Sequence, residues 1–398
     1  MLGEDDRHEE TRGDDSCTRQ QFLRRVALSG AAITAVPWLA ACGGSSAIGS
    51  GTTASTGSAE SAIQRGSTLK MFNWQGYDNP AALKQFKQAY DVTVRPTYIA
   101  GDQEVFTKLG AQKGQGQWDV LTYNSGLVPQ LYEQGILDPL VVDDFPNAAS
   151  IFPEFANLPQ IKAGAPGEVV GLPFSWGYQG FIRTTKLPRL TRWSQIFGSQ
   201  YKGRIIGVND PTTSIATMAI AQGFTDYAHL TRAQFDEVMA GWERLRPSLR
   251  TIVPDYGVAK DLLVRGEVDG CVPGWQAMVV NAAKDGTTLY HDIPTEGVYG
   301  FMDLLCLIKG SKNAGTARGF INHMLSPTAQ ASLAKALAQG ITNAKAVPLL
   351  PAVLRDAYEY SRLSENFRSS PIRPLPSNEG GKYVTFADWA QAWQEFTT

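Results

Sequence analysis

Reactive side chains are scarce in this chain. Its cysteines are Cys17, Cys42, Cys271 and Cys306, with no C-x-x-C spacing, so a zinc site is excluded and a disulfide framework has little to build on. Its histidines are His8, His229, His291 and His323. The last three fall in helix or turn contexts without a neighbouring serine or cysteine nucleophile, where a structural role is the expectation. There is no G-x-x-x-x-G-K-[ST] loop to cradle phosphates, no G-x-G-x-x-G after a strand, no H-E-x-x-H and no G-x-S-x-G. These absences argue against an enzyme and against a resident metal or cofactor. Charge of one sign is lacking too. Residues 1–42 carry five basic and seven acidic side chains, and the remainder carries 31 of each. Such a balance offers nucleic acid no electrostatic reason to bind.

Long apolar runs are also missing. The longest, residues 26–41, follows Arg24-Arg25, is interrupted by Ser29, Gly30, Thr34 and Pro37, and ends in Leu39-Ala40-Ala41-Cys42-Gly43. A membrane span needs about 20 apolar residues, whereas a basic start, a short apolar core and small residues before a cut mark a secretory signal. The end of the run resembles a bacterial lipobox, which implies that Cys42 is acylated and becomes the new N-terminus of an exported, membrane-anchored protein. Upstream, Thr18-Arg19-Gln20-Gln21-Phe22-Leu23-Arg24 resembles a twin-arginine export motif with glutamine in place of its second arginine. Residues 43–66 are almost all Ser, Gly, Thr and Ala, a flexible tether that would hold a folded body about 25 to 30 Å from the membrane.

What is plentiful is apolar and aromatic residues, and the 355 or so residues after the signal exceed what one core holds, so two lobes are expected. Residues 68–73 read as a strand, and Asn79-Pro80 as a helix N-cap with proline in the first turn, ahead of Leu83, Phe86 and Tyr90 on one face. Residues 91–99 alternate like a strand, 103–112 read as a helix and 118–123 as a second strand. This alternation predicts a mainly parallel α/β sheet covered on both faces. The Pro- and Gly-rich stretch 139–173 reads as a crossing between lobes. Further on, Thr231 with Gln234 forms a capping box, Leu230 with Phe235 a hydrophobic staple, and Pro247 a stop. Ser326-Pro327 and Gly340 bracket another helix. Phe386, Trp389 and Trp393 have helical spacing and dock the tail on a lobe. Cys271 and Cys306 lie in apolar runs that favour two buried thiols over a disulfide.

The candidate chemistry is a recurring pairing of aromatics with carboxylates at predicted strand ends, where open α/β sheets hold their ligands. It occurs at Asn73-Trp74-Gln75-Gly76-Tyr77, Asn209-Asp210-Pro211-Thr212-Thr213, Gly274-Trp275 and Phe301-Met302-Asp303. An alkyl cation needs such a site, because carboxylates neutralise its ammonium groups and ring faces cover its methylenes. Trp74 and Trp275 are equally explained as core, and Asp210 before Pro211 as a turn cap. Asp303 between Met302 and Leu304 is a carboxylate in an apolar strand and demands a partner.

Leu69-Lys70-Met71-Phe72-Asn73-Trp74 with Tyr77, Trp118-Asp119-Val120, Pro173-Phe174-Ser175-Trp176-Gly177, Trp193 before Tyr201-Lys202-Gly203-Arg204, Gly266-Glu267-Val268 and Met302-Asp303 occur in the order seen in spermidine/putrescine-binding proteins of ABC importers. The resemblance extends over nearly all of residues 67–346. It implies a two-lobed periplasmic-binding-protein-like α/β fold with hinge-crossing strands and ligand between the lobes. Lobe 1 would hold residues 67–172 and 303–350, and lobe 2 residues 173–302 and 351–398. By position, Trp74 and Tyr77 resemble the aromatic wall, Asn124 a polar pocket residue, and Asp210 and Asp303 the carboxylates that face amines. Phe301 stands where a tryptophan is common, and Trp275 matches a second pocket tryptophan after a one-residue shift. Thr213 replaces a glutamate and Gly126 a tyrosine, which implies a less acidic and roomier site than a triamine binder's and a cationic ligand with fewer or differently spaced amines. The function implied is a lipid-anchored, monomeric substrate-binding protein that delivers a small amine, putrescine or spermidine in type, to an ABC permease. The alternatives are a sugar, thiamine or phosphonate binder and, from another class, a cell-envelope hydrolase; no Tyr-Tyr pair supports iron capture. Replacing Cys42 with alanine is expected to move the protein from the membrane to the soluble fraction with ligand affinity unchanged. Fractionation followed by calorimetry checks both halves of that expectation.

Overall fold

The computed structural model describes residues 58–111 and 116–398; the signal segment, Cys42 and most of the tether lie outside the described residues. The first strand, β1 (Thr68–Asn73), buries residues on both faces. Asn79 then accepts the backbone N–H groups of Ala81 and Ala82, both at 3.1 Å, and Pro80 opens α1 (Pro80–Tyr90), which buries Ala82 and Phe86. The chain returns through β2 (Thr93–Tyr98), α2 (Asp102–Ala111) and β3 (Val120–Asn124). β2 and β3 flank β1, and both run parallel to it.

Residues 139–171 make no crossing. They form short turns, three of which begin at Pro146, Pro153 and Pro159, because a proline fits the first position of a turn and prevents a longer helix from continuing through it. The crossing is the 12-residue strand that follows, β4 (Leu172–Arg183). Beyond it come β5 (Ile205–Val208), α3 (Pro211–Ala221), α4 (Arg232–Leu245), β6 (Leu249–Val253) and β7 (Gly270–Trp275), and then a second long strand, β8 (Tyr299–Ile308). The principal strands join in the order β2-β1-β3-β8-β4-β7-β5-β6 within one eleven-stranded sheet. Pairing is parallel within β2-β1-β3 and within β7-β5-β6, and antiparallel where β8 and β4 join them. The sheet is therefore mixed. Two adjacent antiparallel strands carry the chain between the parallel groups without a crossover helix.

Three other expectations need correction. Residues 58–66 are packed, not tethering: Ala59 is buried, Asn322 donates to Glu60 at 2.9 Å, and the N–H of Gln64 reaches Thr316 at 2.9 Å. Ala59 and Ile63 supply apolar contacts that the Ser/Gly residues before them cannot. The helix after Ser326, α5 (Pro327–Leu337), ends at Ala338 with φ 54°, and Gly340 instead pairs with Trp176 of β4. His291 sits in a strand, Tyr290–Asp292, where it accepts the Gly180 N–H at 3.1 Å; burial pushes its imidazole down to about 4, so it is neutral. His323 bonds the Ala82 carbonyl at 2.9 Å, and His229 lies exposed beside Asp226. Cys271 and Cys306 are free and buried.

The C-terminal helix α6 (Phe386–Thr397) starts at a Thr385–Asp388 capping box and buries Phe386, Trp389, Trp393 and Phe396. Trp393 meets Trp242 of α4 edge-on at 4.9 Å and donates its indole N–H to Asn209 at 3.0 Å. Trp393→Ala is expected to cost about 3 to 5 kcal/mol, from the lost apolar burial, the cavity and the orphaned Asn209. Urea denaturation with and without the substitution measures it.

Candidate functional site

Strand ends and helix starts from both groups converge on one cavity of about 900 Å³. The turn after β1 delivers Trp74 and Tyr77, the end of β3 delivers Asn124, and the start of α3 delivers Asp210 and Thr213. The end of β7 delivers Trp275, and β8 delivers Phe301 and Asp303. All eight sequence-derived candidates thus line the same space. Close approach at one glycine shapes it, since a Cβ on Gly177 would lie 2.7 Å from the Phe301 ring and 2.9 Å from the Trp275 indole nitrogen. Trp275 meets Phe301 at 6.1 Å and Tyr256 at 5.9 Å, both edge-on, and Trp74 stacks on Tyr123 at 6.4 Å.

Asp303 is only 5% exposed. Gln339 donates to the Tyr77 hydroxyl at 2.5 Å, and Tyr77 donates in turn to Asp303. Burial and the charge of Asp303 hold the Tyr77 phenol well above its ordinary range, so it remains a donor. Burial pushes the Asp303 carboxyl up to about 7; the Tyr77 bond opposes the rise and the charge of Asp102 adds to it. Asp102 itself is pushed up to about 6, chiefly by burial, with Tyr123 and Thr212 pulling it down and Asp210 raising it.

Asp210 plays both parts the sequence leaves open. It caps α3 by accepting the Thr213 N–H at 3.0 Å, and it lines the cavity while accepting the Thr213 and Tyr256 hydroxyls at 2.7 and 2.9 Å. Thr213 therefore holds a carboxylate where the resemblance implied one would be lost. The room expected at Gly126 does not reach the cavity, because Leu375 fills it: a Cβ there would lie 2.9 Å from the Leu375 side chain, and the Leu375 N–H bonds the Gly126 carbonyl at 3.2 Å. Asp102 and Asp255 join Asp210 and Asp303, and no lysine, arginine or histidine among the described residues lines the wall.

Sequence reasoning missed Asp102, Gln179, Tyr256, Gln339 and Trp389 in the wall. Asp102 had a signal, since it follows a strand and opens a helix, the placement that flagged Asp210. Gln179 lies mid-strand and had none. Its side-chain oxygen and the Trp389 indole nitrogen are buried without a hydrogen-bond partner among the described residues.

Comparison with known proteins agrees with this architecture. Residues 81–358 match the family model described as bacterial extracellular solute-binding protein. The spermidine/putrescine-binding periplasmic protein 1 of Haemophilus influenzae is 23% identical over 291 residues, 71% of this chain and 78% of that protein. The putrescine/cadaverine-binding protein of Pseudomonas aeruginosa is 25% identical over 344 residues, 78% of this chain and 90% of that one. The crystal structure of the spermidine/putrescine ABC transporter substrate-binding protein PotD of Streptococcus pneumoniae superposes with a TM-score of 0.68 at 20% identity, over 83% of this chain and 98% of the other. The fold is the two-lobed one of those neighbours, whose members bind a small solute for an ABC importer and are not enzymes. With most of its folded length matched, this chain belongs to the bacterial extracellular solute-binding proteins.

Proposed function

We propose that this protein captures a small linear polyamine and presents it to an ABC permease, as a monomer anchored through Cys42 on the outer face of the membrane. The observation that carries this reading is the cavity's charge: four carboxylates, aromatic rings and no basic side chain among the described wall residues. A buried carboxylate without a cation is costly, and Asp303 is one; an ammonium over an aromatic face gains roughly 0.5 to 2 kcal/mol. In this reading Asp303 and Asp210 meet ammonium groups, Trp74, Tyr77, Trp275 and Phe301 cover the methylenes, Thr213 positions Asp210, and Asn124 offers a polar wall. Lobe 1 comprises residues 67–172 and 303–350, lobe 2 residues 173–302 and 351–398, and β4 and β8 form the hinge. The names of the relatives, which bind putrescine, spermidine or cadaverine, support the same ligand class.

Titration calorimetry with putrescine, spermidine, cadaverine and agmatine, beside a sugar, thiamine and a phosphonate, tests it. Binding of one or more amines and of none of the others is expected. Binding of a sugar, thiamine or phosphonate without any amine would overturn the ligand class.

Proton linkage gives a second test. Exposed aspartates titrate near 3.9, whereas Asp303 and Asp102 are held up to about 7 and about 6. Their protonated forms therefore stabilise the empty fold fully below about pH 4, and that contribution is lost as pH rises through about 7. A cation binds the ionised forms, so amine affinity rises over the same window. From pH 5 to pH 8 the Tm of the ligand-free protein is expected to fall while affinity climbs. In Asp303→Asn the fall is shallower, Tm at pH 8 is higher than in the parent, and amine binding is weaker by roughly tenfold or more. Calorimetry and thermal melts at both pH values check each part; an unchanged affinity would make Asp303 purely structural.

A further inference from the structure

Asp102 is the cavity carboxylate whose contacts run to both strand groups. It opens α2 directly after β2, and on one side the Tyr123 hydroxyl approaches its backbone carbonyl at 3.4 Å. Tyr123 adjoins Asn124, the strand partner of Asp303. On the other side its Oδ2 accepts the Thr212 hydroxyl at 3.4 Å, and Thr212 lies two residues after Asp210 in the first turn of α3. These contacts place Asp102 between the β3–β8 pair that carries Asp303 and the first turn of α3 that carries Asp210. The electrostatic coupling of the three carboxylates follows the same order, since Asp102 acts on Asp303 and Asp210 acts on Asp102. Gln179, a residue 5% exposed, also lines this space, and its side-chain oxygen is buried with no hydrogen-bond partner among the described residues. It is an acceptor, so it adds to the demand for donors and neutralises nothing.

A ligand charged only at its two ends satisfies the outer members of such a series. It leaves the middle carboxylate facing methylenes, out of water and without a counter-charge. A nitrogen between the ends, protonated and carrying two N–H donors, removes that cost and can also meet Gln179. We infer that Asp102 is a specificity-determining residue that selects linear triamines over diamines of equal length. The inference rests on the amine reading proposed above and adds to it a preference set by one side chain.

The test compares two probes that differ at one atom. Spermidine and 1,8-diaminooctane have terminal amines the same number of atoms apart, but a CH₂ replaces the central nitrogen in the second. Calorimetry at pH 8 on the full chain is expected to give spermidine an advantage of roughly tenfold or more, the scale of one charge-assisted hydrogen bond. In Asp102→Asn the advantage is expected to shrink to about threefold or less, mainly through weaker spermidine binding. Asp102→Ser removes the same carboxyl while keeping a short polar group at the helix start, and is made in parallel so that misfolding of one variant does not decide the matter. Equal affinities for the two probes in the parent protein would overturn the inference and leave the amine reading standing. So would a full spermidine advantage retained in a folded Asp102 variant. Failure of the parent to bind either probe or any amine in the wider panel would instead overturn the amine reading itself.

Discussion

A carboxylate sits inside the sheet with no positive charge among the described residues to meet it, and much of the structure follows from that. Asp303 lies on β8, the strand that pairs with β3 on one side and β4 on the other. A strand in that place must be apolar to be buried, and nine of its ten residues are. The exception is held by one phenol and an amide behind it. That chain of donors keeps the acid in place and partly compensates its burial, but does not neutralise it. An acid so placed prefers its neutral form when the cavity is empty and its ionised form when a cation arrives, so folding stability and ligand binding pull in opposite directions at the same atom.

The surroundings are arranged to preserve that tension. Gly177 gives up its side chain so that Trp275 and Phe301 can close in from β7 and β8. Asp210 spends its lone pairs on Thr213 and Tyr256 while also capping α3, which fixes it at the rim. The C-terminal helix, beyond the stretch that matches the family model, reaches back to bond Asn209 through Trp393 and lends Phe386 and Trp389 to the wall. A helix that reads in sequence as a docking element thus also shapes the cavity.

Local chemistry was legible wherever it decided the outcome. Asn79, Thr231 and Ser326 each have a side chain that reaches orphan N–H groups a few residues on, and such caps need no knowledge of the rest of the chain. Strands β1 to β3 were legible for a similar reason: their apolar runs have few alternatives. The end of α5 was not, because Ala338 takes the left-handed conformation that a glycine would normally supply, held there by the packing around Gly340 and Trp176. The crossing was misplaced because prolines at regular spacing look like a linker, whereas here they start a series of packed turns. Residues 58–66 misled in the opposite sense, since they read as the end of a tether and long-range contacts, with the helix of residues 314–324 and with Asp91 and Asp144, order them.

The site divides along the same line. Sequence alone determined which residue types had to meet, because a carboxylate in an apolar strand and aromatics at strand ends carry their chemistry wherever the chain puts them. It also determined the α/β class, the family resemblance and the lack of catalytic side chains in any recognisable pattern. Only the tertiary structure decided that Asp102 joins the acids of the cavity, that Tyr256 supports Asp210, and that Leu375 takes the space left at Gly126. Those outcomes depend on contacts between residues tens to hundreds of positions apart. No local periodicity records such contacts; the path of two long strands through one continuous sheet creates them.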